Sequence, residues 1–117
     1  TPAVKWGTRP GNRSHQTEFF GPILSVMKAE DLDDAIGMVN ATGFGLTSGL
    51  QSLDMREQAH WTENIEAGNL YINRKCTGAL VGVHPFGGFN LSGTDSKAGG
   101  RDYLLLFLQA KSISRAK

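Results

Sequence analysis

Asp31-Leu32-Asp33-Asp34-Ala35-Ile36-Gly37-Met38-Val39-Asn40-Ala41-Thr42-Gly43 reads as one helix with its start and stop signals in place. Asp31 is placed to cap the first turn, and Asp34 three residues on supplies the carboxylate version of a capping box. Leu32, Ala35, Ile36 and Val39 recur at i, i+3, i+4 and i+7, which lines up one apolar stripe. Gly43 ends the helix, because glycine accepts the left-handed conformation that follows a last turn. Apolar strand candidates lie on either side, at residues 23–27 and 46–51. A second unit follows the same plan. Asp54 with Glu57 marks another capped start, and Met55, Ala59, Thr62 and Ile65 form the expected inward face of that helix. Gly68 is expected at its C′ position, and residues 69–73 read as a third short strand. The β-α-β-α-β order predicts an α/β fold of parallel strands with right-handed crossovers.

The third strand leads into residues 77–93, where Gly78, Gly82, Gly87, Gly88 and Gly93 alternate with apolar side chains and Pro85. That mixture is too apolar for a solvated linker and too broken by glycine for a helix. Two readings of it stand. A buried crossover loop accounts for the composition alone. A wall of a site, with backbone N–H groups facing a ligand, accounts also for the position, since open α/β sheets bind ligands at the carboxyl ends of their strands.

The whole chain has 117 residues, 39% hydrophobic and 20% charged, with a formal charge of +1. These values predict one ordinary soluble domain, long enough to bury a core of its own. The balanced charge carries no electrostatic footprint for nucleic acid or a membrane surface. No apolar run approaches the roughly 20 residues of a membrane span. The single cysteine excludes an intramolecular disulfide and a cysteine-based metal cluster, and makes a reducing intracellular compartment the expected setting. His15, His60 and His84 have no metal-ligand spacing between them. Residues 1–17 read as irregular, punctuated by Gly7, Pro10, Gly11 and Asn12. Near the other end, a short helix is expected to open at Gly99-Gly100-Arg101-Asp102. The polar and apolar alternation of residues 109–115 suits a half-exposed edge strand, guarded by Lys111 and Arg115 or available to a partner's sheet.

Glu18-Phe19-Phe20-Gly21-Pro22 resembles the Glu-x-Phe-Gly-Pro motif of the aldehyde dehydrogenase superfamily. Asn69 to Asn73, Pro85-Phe86-Gly87-Gly88 and Ser92-Gly93 match, in order, the segment that follows it there. Within that superfamily, Thr77-Gly78-Ala79 and the Lys97-Ala98-Gly99-Gly100 tail are similar to the 1-pyrroline-5-carboxylate dehydrogenases, as is the run Ser92-Gly93-Thr94. The resemblance runs from about Thr17 onward. It implies the C-terminal part of a catalytic domain over residues 18–108, ending in an oligomerisation strand and tail over 109–117. It further implies a parent enzyme that oxidises glutamate semialdehyde to glutamate with NAD.

The same resemblance distributes roles. Glu18 would accept hydrogen bonds from the nicotinamide-ribose hydroxyls, which suits a carboxylate because ionised acceptors bond strongly and two oxygens take two hydroxyls. Phe20 would pack near the nicotinamide. Gly78 and Ala79 would offer backbone N–H groups to the substrate's α-carboxylate, and Phe86 would line the slot for its methylene chain. Cys76 is not expected to be the nucleophile. The superfamily's nucleophile sits upstream in a Gly-Gln-x-Cys context that these residues lack, as they lack a Gly-x-Gly-x-x-Gly segment. No catalytic residue is therefore assigned, and the chain is expected to be inactive alone. A homo-oligomer is expected through the terminal strand, and a cytoplasmic location, or the mitochondrial matrix in a eukaryote. Three other readings remain open: a piece of another semialdehyde dehydrogenase, a non-catalytic assembly module, and a coenzyme-dependent acylating relative, which no feature favours.

Overall fold

The computed structural model describes residues 1–93 and 97–116, so Thr94 of the Ser-Gly-Thr run lies outside the described residues. Strands β1 (Ala3–Trp6) and β2 (Ile23–Val26) flank a one-turn helix α1 (Arg13–Gln16). Helix α2 (Leu32–Asn40) leads to β3 (Phe44–Gly45) and β4 (Thr47–Leu50). Helix α3 (Met55–Asn64), β5 (Asn69–Ile72), β6 (Phe89–Asn90) and a short 3-10 helix (Tyr103–Phe107) complete the described elements.

The α/β class and the parallel strands are as expected, but the pairing is not one continuous sheet. β4 and β5 run parallel with Thr47 opposite Asn69 and Leu50 opposite Ile72, the two ends of the βαβ unit built on α3. β2 pairs with β1 rather than with β4, in parallel register from Ala3 opposite Ile23 to Trp6 opposite Val26. β1 lies in the stretch expected to be irregular. Its four residues sit between Pro2 and Gly7 and are exposed throughout, so no alternation marked them. β3 and β6 form a two-residue antiparallel pair, Phe44 opposite Asn90 and Gly45 opposite Phe89.

Both helix starts follow their side-chain chemistry. Asp31 accepts from the Asp34 N–H at 2.9 Å, and the Asp34 carboxylate reaches back to the Glu30 N–H at 2.9 Å, one residue before the cap. Asp54 accepts from the Arg56 N–H at 2.8 Å. The exit of α3 departs from expectation. Gly68 is not a left-handed terminator, having no positive φ. The Asn40 side chain closes that end instead, donating to the Asn64 carbonyl at 2.9 Å and accepting from the Glu66 N–H at 2.9 Å. Gly68 is small for another reason: a Cβ there would collide with the Gly87 carbonyl.

The core is Ile36, Trp61, Ile65 and Ala67, with Leu32, Leu50, Leu70 and Ile72 packed against it. It sits where α2 and α3 meet the β4–β5 pair. Of the expected α3 face, Ile65 points inward and the other three residues do not. Trp61 and Ile65, four residues apart, point inward, whereas Met55 is 72% exposed and Ala59 and Thr62 are exposed too. Trp61 carries the largest apolar surface on the helix, so its burial decides the rotation. Among the described residues no side chain is completely enclosed. The radius of gyration is 18.7 Å, with extents of 73 × 35 × 25 Å. A compact domain of this length would have a radius near ~13 Å. The expectation of a self-sufficient core therefore fails: the chain spreads its apolar surface rather than enclosing it. Residues 109–116 form no strand and are exposed, because among the described residues no sheet edge reaches them.

Candidate functional site

The exit from β5 is built by Asn73, whose φ of +54° turns the chain out of the sheet. Its side chain accepts from the Ser52 N–H at 3.0 Å and donates to the Ser52 carbonyl at 2.8 Å, tying the turn to the segment after β4. Arg74 then folds back with its guanidinium 5.3 Å from the centre of the Tyr71 ring and donates to the Thr77 carbonyl at 3.1 Å. Gly78 follows with a φ of +85°, which a β-carbon would oppose. Among the described residues no group accepts from the Gly78 or Ala79 N–H, so both donors are open.

The loop then makes a turn in which Leu80 takes the Val83 and His84 N–H groups on its carbonyl, while its own N–H donates to His84 Nδ1 at 3.2 Å. Phe86 is fixed by two backbone bonds with Ala98, at 2.9 and 2.8 Å, and the Gly82 N–H donates to the Gly99 carbonyl at 3.0 Å. The tail thus stitches the glycine-rich loop closed from outside. Gly88 is buried where a Cβ would meet Ser92, Gly45 and Leu46 all within 3 Å, which explains a glycine there by close packing.

These segments enclose an open cleft of about 510 Å³, within the usual range for small-ligand sites. Gly78, Ala79 and Phe86 all line it, so three residues singled out from the sequence meet on one surface. Tyr71, Cys76 and His84 line it too. Their part was not legible from spacing, because Tyr71 belongs to a strand and His84 reaches the cleft only through the turn at Leu80. Cys76 is exposed, with its sulfur against Gly49. Apolar walls with two N–H donors that find no acceptor among the described residues suit a small molecule that carries a carboxylate on an aliphatic chain.

Glu18 and Phe20 lie elsewhere. Both line a separate cleft of about 320 Å³ that shares no residue with the first. Phe20 is 94% exposed and has a φ of +49°, an uncommon conformation for an aromatic residue. Glu18 also borders a larger hollow of about 550 Å³ with His15 and Ser92. Neither cleft holds a metal cluster: among the described residues no three His, Cys, Asp or Glu groups converge. The remaining histidines are structural. His15 donates from Nε2 to the Met38 carbonyl at 2.7 Å and accepts from the Gly11 N–H at 3.0 Å, docking the leading segment onto α2. His60 pairs with Asp33 across α2 and α3.

A sequence profile of the aldehyde dehydrogenase family matches residues 1–113. The chain belongs to the aldehyde dehydrogenase family. The match includes the leading residues, where the motifs alone had shown little. A 1-pyrroline-5-carboxylate dehydrogenase from Anoxybacillus flavithermus is 51% identical over 97% of this chain, which covers 22% of that relative. The structure of a 1-pyrroline-5-carboxylate dehydrogenase from Thermus with bound NAD superposes with a TM-score of 0.87 at 48% identity, over 91% of this chain and 20% of that one. Proline utilization A from Corynebacterium freiburgense superposes with a TM-score of 0.85 at 42% identity, over 97% of this chain and 13% of that one. The chain therefore spans about a fifth of the length of the curated relatives it matches. Among the described residues no helix is long and apolar enough to cross a membrane.

Proposed function

We propose that this chain supplies one wall of the active site of an NAD-dependent 1-pyrroline-5-carboxylate dehydrogenase, which oxidises L-glutamate 5-semialdehyde to L-glutamate in proline breakdown. The observation that carries the reading is the cleft in which the open Gly78 and Ala79 N–H groups stand beside Phe86. Those two donors take the substrate's α-carboxylate, and Phe86 packs along its methylenes. The names of the relatives point to the same substrate.

NAD, when bound, supplies the hydride acceptor for this oxidation. The residues on this chain fit its ribose end. Among the described residues no group bonds the Glu18 carboxylate, which leaves both oxygens to accept two hydroxyls. The exposed Phe20 ring, held at positive φ, has a free face for a flat ring to stack on. Residues 109–115 pair with another copy of the chain in a homo-oligomer, where the edge missing here becomes available.

The test is aldehyde-dependent NADH formation, by the 117-residue chain alone and by a full-length dehydrogenase that carries it. The chain alone is expected to be silent, and the full-length enzyme to favour glutamate semialdehyde over aliphatic aldehydes of the same length. Preference for the plain aldehyde would remove the substrate assignment, and NADH formation by the chain alone would remove the claim that it is only a wall.

A further inference from the structure

The Lys97-Ala98-Gly99-Gly100 tail stands out in the sequence, yet no substrate or cofactor role falls to it. Lys97 is half-buried and lies outside the lining of the Gly78–Phe86 cleft. Its ammonium donates to the Gly68 carbonyl at 2.8 Å and also to the Gly87 carbonyl. The same Gly87 oxygen accepts from Asn69 Nδ2 at 2.9 Å, and that amide also holds the Leu46 carbonyl at 2.8 Å. One carbonyl, directly after Phe86, is thus gripped by a strand residue from one side and by the tail from the other.

The neighbours of Lys97 extend this grip. Ala98 makes both backbone bonds to Phe86, and the Gly99 carbonyl takes the Gly82 N–H. Close approach is a requirement here, since a β-carbon on Gly68 would strike both the Gly87 carbonyl and the Lys97 ammonium. A charged donor on two carbonyls makes stronger bonds than a neutral one would. Removing the charge leaves the loop attached to the tail by three ordinary backbone bonds, two of them at Phe86.

We propose that Lys97 is a positioning residue, which sets the place of Phe86 in the cleft by clamping the Gly87 carbonyl to the entry of β5. Lys97 touches no substrate; it acts through Phe86. The proposal rests on the reading of this cleft as the aldehyde site, and predicts that its loss weakens aldehyde binding while leaving the nucleotide end alone. Glu18 and Phe20 lie in a different cleft, so nucleotide affinity is the internal control.

The experiment compares Lys97→Met and Lys97→Arg in a full-length dehydrogenase carrying this segment. Kinetics are measured on whichever aldehyde the unmodified enzyme turns over with the highest kcat/KM. Lys97→Met is expected to raise the aldehyde KM about tenfold or more with the NAD KM and kcat within about threefold, and Lys97→Arg to recover most of the loss. Hydrogen exchange at the Phe86 amide is expected to quicken in Lys97→Met and to return toward the unmodified rate in Lys97→Arg. An unchanged aldehyde KM in a folded Lys97→Met enzyme overturns the proposal. So does a loss spread equally over both substrates. If Lys97→Met does not fold, Lys97→Gln is measured in the same way, and failure of both to fold assigns Lys97 a purely structural role. A preference for some other aldehyde would sink the glutamate semialdehyde reading without touching this test.

Discussion

Gly78 combines two features in one residue: a φ of +85°, and an N–H at the cleft lining with no acceptor among the described residues. Valine satisfies neither, because its branched Cβ opposes positive φ and stands in the path of a carboxylate. A charge-assisted hydrogen bond contributes about 1.5–3 kcal/mol, so losing one such bond predicts roughly a tenfold or larger fall in kcat/KM. For Gly78→Val in the full-length enzyme, that fall is expected with the aldehyde carrying an α-carboxylate. A plain aliphatic aldehyde should be affected much less. Equal losses on the two substrates would mean that the loop had merely been damaged. The same scale shows which glycines the sequence could not explain. Gly68 looked like a helix terminator because it follows an apolar helical pattern, but its size is set by the Gly87 carbonyl, a contact made across the fold.

At the scale of the element, the start of α3 has its own pH dependence. The Arg56 guanidinium beside Asp54, at 2.8 Å, holds that carboxyl below its ordinary value of 3.8, and the Arg56 N–H adds to the effect. A carboxyl held low in the folded chain favours folding above its unfolded value. That contribution disappears as pH falls through the lower folded value. Asp54→Asn keeps a capping oxygen but removes the charge. Its thermal midpoint is therefore expected below that of the unmodified protein at about pH 6, with the gap narrowing as pH falls below the ordinary carboxyl value of 3.8. A gap independent of pH would show that the ion pair contributes nothing beyond the cap. The two capped helix starts were readable from Asp31 and Asp54, since capping is a local matter of an oxygen and an N–H a few residues away. The inward face of α3 was readable only at Ile65, because Trp61 is drawn in by Ile36 and the β4–β5 pair, which come from other parts of the chain.

The molecule as a whole has more apolar surface outside than a small domain tolerates. Trp6 is 76% exposed, Val81 89%, Leu104 73% and Phe107 72%, in keeping with the large radius of gyration. Contiguous exposed apolar surface drives association. The isolated 117-residue chain is expected to self-associate, with a sedimentation coefficient that rises with concentration and falls back when a mild detergent is added. A concentration-independent monomer would show that the chain covers these side chains itself. The exposure also fits a chain that spans only about a fifth of its relatives' length, whose remaining residues would supply the missing cover.

Local chemistry in the sequence determined the helix starts, three of the strands, the α/β class and the family, because caps, periodicity and motif order depend on residues close together in the chain. It also singled out Gly78, Ala79 and Phe86 by resemblance. That these three share a cleft with Tyr71, Cys76 and His84 was decided only by the tertiary structure. So were the pairing of β2 with β1 and the hold of Lys97 on Gly87. Each of these depends on backbone groups far apart in sequence arriving within hydrogen-bonding reach, and no pattern of neighbouring residues encodes which distant carbonyl a side chain will find.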